Sequence, residues 1–160
     1  MAFKVADLTR VQVELPRHWA TRGESLWAVA LGGDRYELKN VPFYAYNLNF
    51  GDTVWAPVPS PESSPHVRAV VGRSGHRTLR VMFPAERPEA EVIQLLSSLK
   101  PLSVSFERAS SHYYALDLTP EADITRVRAQ LDEWEAQGLL DYETCEERLA
   151  GSFDDAPDAD

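Results

Sequence analysis

The chain has 160 residues, of which 44% are hydrophobic and 26% charged, so it can bury a core without disulfides or a structural metal. Its formal charge of −9 argues against a general nucleic-acid binder, because phosphates are repelled. No stretch approaches the roughly 18 apolar residues of a membrane span, and the opening "MAFKVADLTRVQVEL" lacks the apolar run of a secretory signal, so a cytoplasmic protein without a membrane partner is expected.

The first half reads as strands. "VQVEL" alternates through Val11, Val13 and Leu15, and "ESLWAVAL" and "RYELK" flank Gly32-Gly33-Asp34 as a β-hairpin. Pro42 ends the second of these strands, since it lacks the amide a ladder needs. The aromatic stretch "FYAYNLNF" is irregular, Gly51-Asp52 turns the chain into the strand "TVWAPV", and "PVPSPESSP" is an exposed proline loop.

The second half changes period. "VRAVV" and "TLRVMF" are strands on either side of Arg73-Ser74-Gly75-His76-Arg77. Pro88 opens a helix carrying Val92, Leu95, Leu96 and Leu99 at helical spacing, and Pro101 closes it. "LSVSF" and "HYYALDL" form a second hairpin, with "ERASS" as its turn. Thr119-Pro120-Glu121 then predicts a helix start, with a hydroxyl cap and proline at the first helical position. That helix presents Ile124, Val127, Leu131 and Trp134 and stops at Gly138, and "LLDYETC" supplies a last strand.

The order β-α-β-β-α-β predicts an α+β fold in which an antiparallel β unit (1–72) packs on a ferredoxin-like split βαβ unit (73–150). Residues 151–160 read as a disordered acidic tail. From Asp141 onward there are eight acids and one base, so this end carries −7 of the net −9. By contrast, no acid lies between Glu62 and Glu86, where Arg68, Arg73, Arg77 and Arg80 suggest a basic ridge.

Asn40-Val41-Pro42-Phe43 followed by Gly51-Asp52-Thr53-Val54, and Ser74-Gly75-His76 leading into Leu79-Arg80-Val81, resemble the bacterial family known as domain of unknown function 4265, common in actinobacteria and myxobacteria. The resemblance spans roughly residues 24 to 145. It implies that Asn40, Pro42, Gly51, Asp52, Ser74, Gly75 and His76 are family-defining positions, and it implies no reaction, cofactor or substrate.

No constellation of residues in the sequence reads as catalytic. The nucleophile elbow needs Gly-x-Ser-x-Gly between a strand and a helix, whereas Ser74 lies between two strands. Cys145 lies among Glu143, Glu146 and Glu147, which disfavour a thiolate. The four histidines lack metal-ligand spacing, so neither metal nor cofactor is expected. Two functional readings remain. One is a non-enzymatic interaction protein of the immunity or antitoxin type that occludes a toxin domain, with Tyr44, Tyr46 and Phe50 as candidate partner contacts. The other is a ligand sensor or uncharacterised enzyme built on Asp52, Ser74, Gly75, His76 and Arg77, in which Asp52 orients His76 and the arginines attract an anion. A structural alternative stands beside it: Gly75 takes a positive φ, Ser74 bonds backbone, and His76 packs on a neighbouring loop.

Overall fold

The structure, a computed structural model, describes residues 7–157, so the beginning of the chain and Asp158 to Asp160 lie outside the described residues. Two antiparallel sheets organise it. The first contains β1 (Leu8–Glu14), β2 (Gly23–Gly32), β3 (Arg35–Leu38), β4 (Thr53–Trp55) and β5 (Ala69–Gly72), paired in chain order. Gly33 and Asp34, both at positive φ, make the β2–β3 turn, as the glycine pair predicts. Alternation is clean along β2: Glu24, Leu26 and Ala28 point inward, while Ser25 and Trp27 face solvent.

The second sheet contains β6 (Arg77–Met82), β7 (Val104–Ser110), β8 (Tyr113–Leu118) and β9 (Asp141–Thr144), in the order β7-β8-β6-β9. Helix α1 (Glu89–Ser97) links β6 to β7, and α2 (Ile124–Ala136) links β8 to β9. Both helices lie on one face. Val92, Leu96 and Leu99 from the first and Val127, Leu131 and Trp134 from the second pack on Leu79, Val81, Tyr114, Leu116 and Leu118. The architecture is thus α+β with two antiparallel sheets and two helices.

Three local expectations change. Helix α2 starts at Asp123 rather than Thr119: the Asp123 carboxylate accepts from the amides of Thr125 and Arg126, and Thr119 to Ala122 close a separate turn. Pro101 falls inside a short 3-10 turn (Lys100–Leu102) after α1 has already ended. The hairpin turn sits at Ser111-His112, because β7 runs on through Ser110.

The larger correction concerns the opposite face of the second sheet. Thr78 and Arg80 on β6 alternate with Leu79 and Val81, a pattern that normally leaves the polar side wet. Here both strands β6 and β8 are buried on both faces, except at Met82 and Arg77, because the irregular segment 41–52 is laid over the polar one. Its Ala45 and Leu48 simultaneously complete the core of the first sheet with Val11, Leu26, Leu38 and Val54. The segment "FYAYNLNF" is therefore the layer between the sheets. It has no ladder of its own, and the flanking sheets satisfy its backbone instead. The Glu24 carboxylate of β2 accepts the amides of Phe43 (2.6 Å), Tyr44 (3.2 Å) and Ala45 (2.9 Å). Arg80 donates to the Ala45 carbonyl at 2.9 Å, Tyr113 donates to that of Phe43, and Thr78 to that of Leu48 at 3.3 Å. Buried backbone polar groups must find such partners or lose the water they had.

Of the expected tail 151–160, residues 151–157 are described, and they make contacts within the fold. The Trp19 amide donates to the Asp154 carbonyl at 3.0 Å, the Phe153 amide donates to Glu143 at 2.9 Å, and Phe153 packs on Tyr113. Arg148 pairs with both Asp154 and Asp155. A single apolar residue, Phe153, and one arginine thus anchor a segment whose composition alone suggests disorder.

Candidate functional site

Asp52, Ser74 and His76 converge, but as a knot rather than an open site. Asp52 follows Gly51 at the entry to β4 and is fully buried. Its Oδ1 accepts the Ser74 amide at 2.9 Å, and its Oδ2 accepts the Asn49 amide at 2.9 Å and Arg73 Nη1 at 3.0 Å. Ser74 Oγ donates to the Phe50 carbonyl at 2.6 Å and accepts the His76 amide at 3.1 Å. The Ser74 hydroxyl, the only candidate nucleophile here, is committed to backbone in both directions.

Asp52 does not orient His76. The imidazole Nδ1 instead meets Asp117 Oδ1 of β8 at 2.8 Å, and its ring packs on Phe50 with centroids 5.2 Å apart. Burial pushes the Asp117 carboxyl above its usual range, and the bond and charge of His76 oppose that push. His76 therefore ties the second sheet to the segment between the sheets.

Two glycines make the close approach possible. Gly51 has φ +80°, and a Cβ there would lie 3.0 Å from Ser74 Cβ; Gly75 has φ +91°, and a Cβ there would lie 3.2 Å from the Pro120 ring. That contact also shows what Pro120 does in place of starting a helix. Gly75→Ala is expected to destabilise the fold by about 1–2 kcal/mol from the left-handed backbone alone, measured as a shift in the denaturant midpoint at unchanged slope.

The basic ridge is neutralised from elsewhere in the fold. Arg68 pairs with Glu14, Arg73 with Asp52, and Arg77 with Glu146. Arg80 is fully buried and donates Nε to Glu143 Oε1 at 2.9 Å, with its guanidinium 4.5 Å from the Tyr46 ring centroid. Burial disfavours its charge, yet Cys145, Tyr113, Glu143 and Tyr46 around it raise its pKa above the ordinary arginine range. Two of these pairs use Glu146 and Glu143 of the acidic end, and Arg148 holds Asp154 and Asp155, so half of its eight acids are occupied within the fold.

Cys145 is buried, and burial first, then the nearby carboxylates, push its thiol up to about 12 despite Arg80. Only the thiolate reacts quickly with alkylating or disulfide reagents. The native protein at pH 8 is expected to resist such a reagent for hours and to react fully within minutes once unfolded, which a thiol titration with and without denaturant reads directly. Among the described residues, no group of three or more His, Cys, Asp or Glu side chains is gathered where it could hold a metal ion.

The predicted aromatics separate. Phe50 joins the knot, Tyr46 donates to Glu143 Oε2 at 2.6 Å beneath Arg80, and burial drives its phenol well above the usual tyrosine range. Tyr44 reaches an open cleft. It stacks on Tyr113 with centroids 6.0 Å apart and planes 13° apart, and His18 meets it edge-on at 5.0 Å. His18 Nδ1 accepts the amides of Ala20 (3.0 Å) and Thr21 (3.1 Å), and burial lowers its pKa, so the ring is neutral with its proton on Nε2. Trp19, Met82 and Phe153 complete the wall of a cavity of about 290 Å³. None of His18, Trp19, Met82, Tyr113 or Phe153 stands out in the sequence as a site residue. The available signals were His18-Trp19 in a polar loop and a lone Phe153 in an acidic end.

A second exposed feature is the outer face of the first sheet. Trp27 (40% exposed) on β2 and Trp55 (43%) on β4 both point away from the core, with Val71 of β5 beside them and Leu31 at the β2–β3 bulge. Arg10, the cross-strand partner of Trp27, lies over its ring at 4.6 Å, and Arg35 is the partner of Trp55. The two tryptophans are two strands apart and, because Trp27 lies beside Lys39 and Trp55 beside Arg35 of β3, also four residues apart along the strands, about 16 Å in all.

Residues 24–142 match the family described as Domain of unknown function (DUF4265). No curated protein matches this chain. The fold is similar to that in the crystal structure of a hypothetical protein from Neisseria gonorrhoeae, with a TM-score of 0.71 and 15% identity over 86% of this chain and 94% of that one. At that identity the likeness is one of fold. Among the described residues, no helix is long and apolar enough to cross a membrane.

Proposed function

The chain belongs to the DUF4265 family, and from that premise we propose that it is a non-enzymatic interaction protein of the cytoplasm that binds and occludes a toxin domain, as immunity and antitoxin proteins do. The observation that supports this reading best is the outer face of the first sheet. Trp27, Trp55, Val71 and Leu31 are exposed on a rigid five-stranded platform, flanked by Arg10 and Arg35. Tryptophan and arginine are the side chains that most often dominate protein interfaces, because they bury large area while keeping polar handles. The face is mixed, since Glu37 and Lys39 of β3 form an ion pair between the two tryptophans.

The competing surface made of Asp52, Ser74, His76 and Arg77 offers less, since each of these side chains is bonded within the fold. We also read the second unit as ferredoxin-like. The order β7-β8-β6-β9, with both crossover helices on one face, supports that reading.

The experiment is co-expression with the products of neighbouring genes, scored by growth and by size-exclusion chromatography. A stoichiometric complex that restores growth in the presence of an otherwise toxic neighbour is the expected result. Growth inhibition that this chain leaves unchanged, together with separate elution of the two proteins, contradicts the proposal.

A further inference from the structure

We propose that the cleft around His18 and Tyr44 is a binding site for a small aromatic amine, with the ring held among the aromatic side chains and the ammonium donated to Asp154. It is distinct from the outer sheet face and does not depend on it.

The cleft has two chambers with His18 and Tyr44 in the walls of both. The larger, about 290 Å³, is walled by His18, Trp19, Tyr44, Met82, Tyr113 and Phe153. Its rings are not loosely placed: Tyr113 is fixed by its bond to the Phe43 carbonyl and by Tyr44 stacked on it, and Phe153 packs against Tyr113 at 6.2 Å. Ring faces carry negative charge density, so such a chamber suits a flat aromatic group or a cation and penalises an anion.

The smaller chamber, about 170 Å³, shares His18 and Tyr44 and adds Tyr46, Arg148 and Asp154. Asp154 is only 6% exposed, and its Oδ1 is buried without a hydrogen-bond partner among the described residues. A buried carboxylate oxygen left unbonded is costly, and in native proteins it marks a missing donor. Arg148 does not supply that donor. Its Nε meets Asp154 Oδ2 at 2.7 Å, and its Nη2 is taken by Asp155.

Arg148 thus faces two carboxylates, and the surplus charge at this end is negative. Arg17 and Glu14 also line this chamber, so the preference for an amine rests on Asp154 Oδ1, to which an ammonium group would supply the donor that it lacks. Neutral His18, with Nδ1 engaged by two amides, adds no repelling charge. His18 and Tyr44 line both chambers, and the proposed ligand is a small molecule with an aryl group in the larger and an amine two carbons away in the smaller.

The test is titration of the full chain with phenethylamine, 2-phenylethanol and 3-phenylpropionate, followed by the NMR signals of the Trp19 indole N–H and the Met82 methyl. Saturable shifts at these two groups, with phenethylamine at least about tenfold tighter than the alcohol and the acid weakest, are expected. Asp154→Asn should bring phenethylamine down to the affinity of the alcohol while leaving the alcohol unchanged. Met82→Trp fills the larger chamber from its rim and leaves the Asp154–Arg148 pair in place, and it should abolish binding of both. No saturable shift at about 10 mM phenethylamine, or equal affinity for amine and alcohol, or shifts that persist in Met82→Trp, overturns the proposal.

Discussion

Arg80→Met is expected to destabilise the protein by about 3–5 kcal/mol, because it leaves the Glu143 carboxylate without its buried partner and the Ala45 carbonyl without a donor. For a chain of this length that is a loss on the order of 10 °C in Tm, a large part of an ordinary stability. Among the described residues Arg80 is the largest fully buried side chain, and it touches two elements beyond its own strand: β9 through Glu143, and the segment between the sheets through the Ala45 carbonyl and the Tyr46 ring. Lysine cannot replace it, since a single ammonium cannot serve Glu143 and Ala45 in the fixed fork of a guanidinium while lying flat on a ring. Adding Glu143→Gln to Arg80→Met removes the stranded charge and should recover a clear part of the loss. Thermal unfolding of wild type, single and double variants checks both statements. Equal stability of Arg80→Met and wild type would mean that the sheets are not held together through this residue.

Asp52→Asn is the second large effect, at about 2–4 kcal/mol. The substitution keeps the shape and changes the pattern of donors. With the amide oxygen facing the Asn49 amide and Arg73, the amide nitrogen faces the Ser74 N–H, donor against donor, in a site closed to water. Arg73 is half-exposed, so its ion pair adds little, and the main loss lies in the backbone donors. Denaturant unfolding should show the reduced midpoint, with Ser74→Ala additive to it only in part, because the two residues share one network.

Most elements were legible because their periods are strong. The glycine turn between β2 and β3, the alternation in β1 and β2, and the helical spacing of Val92, Leu96, Val127 and Leu131 each have a local cause that tertiary packing does not reverse. The arrangement of the site was not legible, for a reason seen in Arg80. Its position in an alternating strand signals exposure, and only the placement of residues 41–52 across the sheet makes it internal. The four basic residues of the apparent ridge likewise meet Glu14, Asp52, Glu146 and Glu143, two of which lie more than 60 residues away in sequence. Local composition cannot reveal charges neutralised at such separation. Ser74-Gly75-His76 was readable as a turn with Gly75 at positive φ, while the identity of the His76 partner, Asp117 and not Asp52, depends on the β6–β8 pairing.

The same logic separates scaffold from surface. Glu24, Asp52, His76 and Arg80 hold an unladdered segment between two sheets, and their substitution is expected to cost stability. Trp27 and Trp55 lie outside both core clusters, and their substitution is expected to cost binding. Surface changes away from packed features usually move stability by less than about 0.5 kcal/mol.

The most direct measurement of the proposed docking is therefore the dissociation constant for the partner that co-expression identifies, for wild type and for Trp27→Ser/Trp55→Ser. The double variant should keep its Tm within about 2 °C and bind at least about 100-fold more weakly, as expected when two interface anchors are lost. A double variant that binds as tightly as wild type would contradict the assignment of this face as the docking surface.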